Sequence, residues 1–151
     1  MKLQTQDFVC VGIQFLLFGL YVLDVDSIAF SLPSKVGLIG LTIAAVGVIV
    51  LVIALLQLNK NLSPFPTPKN GSNLVQNRIY SLVRHPIYTG ILFVVFGYGL
   101  YQGSSYKLLI SFLLLLLFFA KSKYEERNLV KKFLEYPSYK KTVGRFLPKI
   151  G

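Results

Sequence analysis

Residues 36–58 read VGLIGLTIAAVGVIVLVIALLQL, 23 positions without a charge. As a helix rising about 1.5 Å per residue, this stretch is long enough to cross a hydrocarbon core of about 30 Å. The whole chain agrees with that reading. Of its 151 residues, 54% are hydrophobic and 15% are charged, where soluble domains carry about 25% charged residues. So little polar surface cannot cover a soluble protein of this size. The composition excludes a soluble globular domain, a disordered chain and a typical nucleic-acid-binding domain.

Three more apolar stretches can be read outward from the first: 8–23, 87–101 and 108–120, the last extended to 106–124 by Tyr106 and Tyr124 as interfacial ends. The stretches near 87–101 and 108–120 are short. Gly97, Gly99 and Gly103 at their junction suit close helix packing in a membrane. They read as a tight hairpin turning near residues 102–105, with a re-entrant pair as the alternative. Stretch 8–23 reads as a span rather than a cleaved leader, because Asp7 precedes it and Asp24 and Asp26 make a poor cleavage region. The expected fold is all-α: a polytopic membrane protein with about four transmembrane helices, a cytoplasmic loop at 59–86 and an amphipathic cytoplasmic tail helix within 125–151.

Charge orients the bundle. The chain has 16 Lys or Arg against 6 Asp or Glu, a net charge of +10. Loop 59–86 carries Lys60, Lys69, Arg78 and Arg84 and no acid; the tail from Lys121 carries nine Lys or Arg against three Glu. The first loop has Asp24 and Asp26 against Lys35, and the third only Lys107. By the positive-inside rule both termini and the second loop face the cytoplasm, where an anionic membrane surface suits the excess charge. One Cys and one His exclude an intramolecular disulfide, a multi-Cys metal site and a His-pair metal motif.

Two cytoplasmic pieces carry the chemistry. Pro64, Pro66 and Pro68 forbid regular helix and favour extended backbone. Then Arg84-His85-Pro86-Ile87-Tyr88-Thr89-Gly90 leads into the third span, with Pro86 suited to a first helical turn. In the tail, Leu129, Val130, Phe133 and Leu134 fall at helical spacing. Glu125 and Glu126 lean along that stripe, and such carboxylates are costly beside a membrane unless cations meet them. The plain alternative is a basic interfacial helix in which Glu125 pairs with Lys121 one turn back.

Together these pieces resemble the isoprenylcysteine carboxyl methyltransferase family, integral-membrane enzymes related to the phospholipid N-methyltransferases. The resemblance covers roughly residues 63–148 and rests on four ordered signatures. These are Ser63-Pro64-Phe65-Pro66 with Gly71, Leu74 and Val75; the Arg84 to Gly90 element; Glu125-Glu126 followed by Leu129; and Phe133, Tyr136 and Tyr139 leading to Gly144-Arg145-Phe146-Leu147-Pro148. The chain departs where many relatives have Gly-Pro-Tyr, having Asn77-Arg78-Ile79-Tyr80. Its length resembles compact prokaryotic members.

The resemblance implies S-adenosylmethionine as methyl donor, no metal, and a lipophilic or small apolar acceptor (a carboxylate, amine or thiol) reached through the bilayer. It implies a donor cleft lined by Arg84, His85 and Tyr88, with Gly90 allowing close backbone approach. Glu125 or Glu126 holds the donor's amino group or ribose, Glu126 or His85 takes any proton, and Arg145 or Arg84 positions an anionic acceptor or the donor's carboxylate. Gly97-Tyr98-Gly99 reads as a packing surface. The rival is a non-enzymatic membrane subunit or scaffold docking through its basic tail, which tolerates replacement of Glu125, Glu126 and His85. A transporter needs ionisable groups within the spans; 8–23, 36–58, 87–101 and 108–120 contain no Asp, Glu, Lys, Arg or His. No recognition motif for nucleic acid accompanies the basic tail.

Overall fold

The computed structural model describes residues 3–23 and 33–149. Asp24 and Asp26, which helped to orient the bundle, lie outside the described residues. Five α-helices follow in order: α1 Thr5–Val22, α2 Ser34–Leu58, α3 Pro86–Gln102, α4 Ser105–Lys132 and α5 Tyr136–Thr142. The described residues contain no β-strand; an isolated parallel bridge joins Val83 and Gly144. The protein is an all-α membrane protein. α1, α2 and α4 are long and apolar enough to cross a membrane; α3, with 17 residues, is shorter than the about 20 residues that a full crossing takes.

α2 and α3 pack along one another, α3 packs on α4, and α1 packs on α4. Small residues explain the α2–α3 seam. A Cβ on Gly40 would lie 2.7 Å from the Gly97 carbonyl oxygen, and one on Gly47 would lie 2.7 Å from the Val94 nitrogen. The glycines let the two backbones touch, which supplies dispersion contact where lipid gives no hydrophobic drive. Gly97 therefore packs as its sequence suggested, and Gly99 faces Leu108 of α4. Gly103 ends α3 in the left-handed region at φ 60°. Its N–H and that of Ser104 bond to the Leu100 and Gly99 carbonyls, closing the hairpin by a glycine cap.

On the other side, Leu17, Leu92, Val95, Ile110, Leu114 and Phe118 form a buried apolar cluster from α1, α3 and α4. α4 runs unbroken to Lys132. The fourth span and the expected tail helix are thus one rod, because no Gly or Pro interrupts residues 105–132. The tail's apolar stripe divides. Leu129 and Phe133 pack on buried Tyr136, Tyr139 and Val143, while Val130 and Leu134 stay exposed.

The chain then returns. α5 carries Tyr139, whose hydroxyl donates to the Tyr80 carbonyl. Beyond it the Arg84 and His85 N–H groups donate to the Gly144 and Arg145 carbonyls at 2.8 and 3.1 Å. Thr89 Oγ1 donates to the Phe146 carbonyl at 2.8 Å. This return strand of backbone clamps the end of the chain onto the start of α3. At the same end of the bundle, buried Asp7 of α1 accepts from the Thr67 N–H and hydroxyl at 3.0 and 2.8 Å, pinning the proline-rich loop.

Candidate active site

The mouth of α3, the far end of α4, the proline-rich loop and the tail enclose a cavity of about 310 Å³, within the range of small-molecule pockets. Gln14, Arg84, His85, Tyr88, Lys121, Glu125 and Tyr136 are among its polar lining residues; Leu129, Phe133, Ile87 and the loop prolines are among the apolar ones.

Glu126 lies behind this wall, 1% exposed, and outside the lining. Its Oε1 accepts from Arg84 Nε at 3.1 Å and Nη2 at 2.9 Å and sits 3.2 Å from His85 Nε2. Its Oε2 meets Lys140 Nζ at 2.9 Å and Arg145 Nη2 at 3.1 Å. Burial alone would raise its pKa, but hydrogen bonds from His85, Lys140 and Arg84 outweigh that and hold the carboxyl well below its usual range. Arg84 completes its own fork by donating Nη1 to the carbonyls of Lys140 and Val143. Arg145 also lies over the Phe119 ring, 4.8 Å from its centroid. The two arginines proposed for an anion are therefore engaged by Glu126.

Glu125 takes a different part. One residue turns an α-helix by about 100°, so its side chain points to the cavity, where it is 27% exposed. Tyr88 donates its hydroxyl to Glu125 Oε2 at 2.9 Å, and His85 Nδ1 lies 3.7 Å from the same oxygen. Lys121 makes no ion pair with Glu125 among the described residues, so the simple turn-to-turn pairing is not what satisfies this carboxylate. His85, Tyr88 and Phe118 form a ladder: His85 stacks on Tyr88 at 5.4 Å, and Tyr88 on Phe118 at 4.7 Å. An ionised Glu126 can only accept, so His85 Nε2 carries the proton and Nδ1 is left for the cavity side.

The structure thus brings Arg84, His85, Tyr88 and Glu125 to the cavity lining. Glu126 and Arg145 organise that wall from outside it. Gly90 faces α2, where a Cβ would lie 2.8 Å from the Leu51 nitrogen; its close approach is to a helix and not to the cavity. Among the cavity residues that sequence reasoning did not assign to the site are Tyr136 and Lys121. Tyr136 is 1% exposed, and its hydroxyl has no hydrogen-bond partner among the described residues. Burial raises its pKa well above the usual value, so it remains a donor. Tyr136 belongs to the fourth signature, but sequence alone assigned it no role in the site. Lys121, 2% exposed, was legible only as the residue one turn before Glu125.

A family model for phospholipid methyltransferase matches residues 36–135, from α2 to the residue before Tyr136. No curated protein matches the chain. The match spans roughly two thirds of the sequence and contains Arg84, His85, Tyr88, Glu125 and Glu126. The chain therefore belongs to the phospholipid methyltransferase family, membrane methyltransferases that include the isoprenylcysteine carboxyl methyltransferases.

Proposed function

We propose that the protein transfers a methyl group from S-adenosylmethionine to a lipophilic or small apolar acceptor in the membrane, a carboxylate, amine or thiol. The observation that carries this reading is a cavity whose wall joins a carboxylate, a histidine and a buried hydroxyl without a partner. Buried polar groups are normally satisfied, and the Tyr136 hydroxyl would be satisfied by a bound polar molecule. The donor has an amino group, a carboxylate, ribose hydroxyls and an adenine ring. Glu125 suits the amino group or ribose, Tyr136 suits an acceptor atom of the donor, and Leu129 and Phe133 suit the ring.

S-adenosylmethionine supplies an electrophilic methyl group on a sulfonium. The chain's own residues do the rest. Tyr88 fixes Glu125 by its hydrogen bond, and Glu126 fixes the tautomer of His85. His85 Nδ1 is thereby free to take a proton from an amine or thiol acceptor; a carboxylate acceptor needs no base. The apolar walls exclude water, which favours transfer to an anion because charge is neutralised as the methyl moves. Most of the remaining contribution is alignment of donor and acceptor. With both termini cytoplasmic, the donor enters from the cytoplasm beside the proline-rich loop. The acceptor enters laterally, where the cavity reaches Gln14 of α1 and Ile91 of α3.

Calorimetric titration of the detergent-purified protein with S-adenosylmethionine and S-adenosylhomocysteine tests this reading. Saturable binding is expected. Tyr136→Phe should weaken it by about three- to ten-fold, the worth of one hydrogen bond, and Glu125→Ala and His85→Ala should weaken it further. Absence of binding to folded wild-type protein, in detergent and in nanodiscs, would refute the assignment in favour of a scaffold.

A further inference from the structure

The cations of this site are unevenly distributed. Arg84, Lys140 and Arg145 converge on Glu126. Lys121 does not. It lines the cavity and is 2% exposed. Its Nζ donates to Gln14 Oε1 at 2.5 Å and lies 5.6 Å from the Tyr88 ring centroid. Neither partner carries a negative charge. Asp7 and Glu125 are within electrostatic reach, but neither makes a direct ion pair with Lys121 among the described residues; Asp7 accepts from Gln4 and Thr67 and Glu125 from Tyr88. An ammonium offers three donors, and the protein's neutral acceptor takes one. A buried ammonium with donors left over and no carboxylate in direct contact among the described residues is costly inside a membrane protein, and the space it faces is the cavity.

We infer that Lys121 and Gln14 form the seat for an oxyanion of the methyl acceptor. This rests on the methyltransferase reading above. An oxyanion could also come from the donor's own carboxylate, and depth separates the two sources. Lys121 precedes Glu125 by one helical turn, about 6 Å along α4, on the span side. Gln14 lies in the middle of α1. The pair is thus at the apolar end of the cavity, away from Glu125 and Tyr136, where an acceptor arriving between helices meets it first. Charge gives the same answer. A sulfonium and a buried ammonium in one small cavity repel one another unless an anion lies between them. An anionic acceptor group held by Lys121 occupies that place. Gln14 holds the ammonium toward the cavity, and Tyr88 supplies the ring face below it.

The test is calorimetric titration of the full chain in a non-ionic detergent. Laurate and dodecyl phosphate serve as anionic probes and methyl laurate as the neutral one, each with and without saturating S-adenosylhomocysteine. Wild type should bind both anions at least about ten-fold more tightly than methyl laurate, in line with a hydrogen bond to a charged group. Lys121→Met should abolish that preference, Lys121→Arg should retain it, and Gln14→Leu should reduce it. S-adenosylhomocysteine affinity should stay within about two-fold in all three variants, which also shows that they fold. Equal binding of laurate and methyl laurate to wild type would overturn the proposal. So would a parallel loss of S-adenosylhomocysteine affinity in Lys121→Met, which would assign the seat to the donor's carboxylate. Failure of wild type to bind S-adenosylhomocysteine would instead refute the donor assignment, while the titrations without it still decide whether Lys121 reads an anion.

Discussion

Glu126→Gln should destabilise the protein far more than Glu125→Gln, although the two residues are adjacent. The carboxylate of Glu126 receives Arg84 twice, at 3.1 and 2.9 Å, and contacts His85, Lys140 and Arg145 at 3.2, 2.9 and 3.1 Å. These contacts do not count equally. Lys140 is 45% exposed and Arg145 20%, whereas Arg84 is 7% and His85 5% exposed. Solvent screens the Lys140 pair to nearly nothing, so the cost comes from leaving Arg84 and part of Arg145 buried without a counter-charge. Breaking a buried pair costs about 3–5 kcal/mol. The amide keeps the shape and one acceptor oxygen, which places the loss near the lower figure, about 3 kcal/mol. For a chain of this length that is a fall of about 6–12 °C in the unfolding midpoint. Glu125→Gln removes a half-solvated acceptor of one tyrosine bond and should cost about 1 kcal/mol at most. A thiol-reactive dye that follows exposure of Cys10, the sole cysteine, reads both midpoints in detergent. Equal shifts for the two variants would refute the division of roles between them.

Gly97→Ala should lower the midpoint through the α2–α3 seam, since the new Cβ would lie 2.5 Å from the Ala44 nitrogen and the Gly40 oxygen; overpacking of this kind costs about 1–3 kcal/mol, read with the same dye. Asp7→Asn removes the charged acceptor of Thr67 and should free the proline-rich loop, seen as faster cleavage within residues 62–75 in limited proteolysis, with no change elsewhere in the digest. The acid side of stability should report Glu126. Its folded pKa lies well below its ordinary value of 4.5, so its contribution is complete above about pH 4.5 and is lost as pH falls through the folded value. The gap in midpoint between wild type and Glu126→Gln should therefore be constant from pH 7 to about 5 and close at lower pH; a gap that closes near neutrality would place the titration on another group.

The sequence carried the fold because the membrane makes helices nearly obligatory once a long apolar run is present. Residues 36–58 alone settle the class, and Pro86 and Gly103 set the ends of α3 by local rules that act before any packing. The reading of 105–132 as two pieces failed for the opposite reason. Composition changes sharply at Lys121, but a helix ends where its backbone must, and no residue there makes it end. Charge patterning marks where a helix leaves the bilayer and is silent on whether it stops.

The site was legible in its residue types and not in their allocation. Arg84, His85, Glu125, Glu126 and Arg145 are all at one end of the bundle, as their motifs suggested. Sequence gave no means of deciding which carboxylate would absorb the cations, because that depends on the return of the tail. The bonds of Arg84 and His85 to Gly144 and Arg145 bring Arg145 to Glu126 and seal that carboxylate away. One step of about 100° along α4 leaves Glu125 in the cavity, where Tyr88 donates to it and His85 Nδ1 lies 3.7 Å away. The same allocation explains why Lys121 matters. Once Glu126 has gathered the arginines, the buried cavity-lining cation with no carboxylate in contact among the described residues is the one that looked like a routine partner for Glu125. Lys121 sits one turn from Glu125 without an ion pair to it among the described residues, while Glu125 accepts from Tyr88 within the stacked wall of His85, Tyr88 and Phe118 that shapes the cleft.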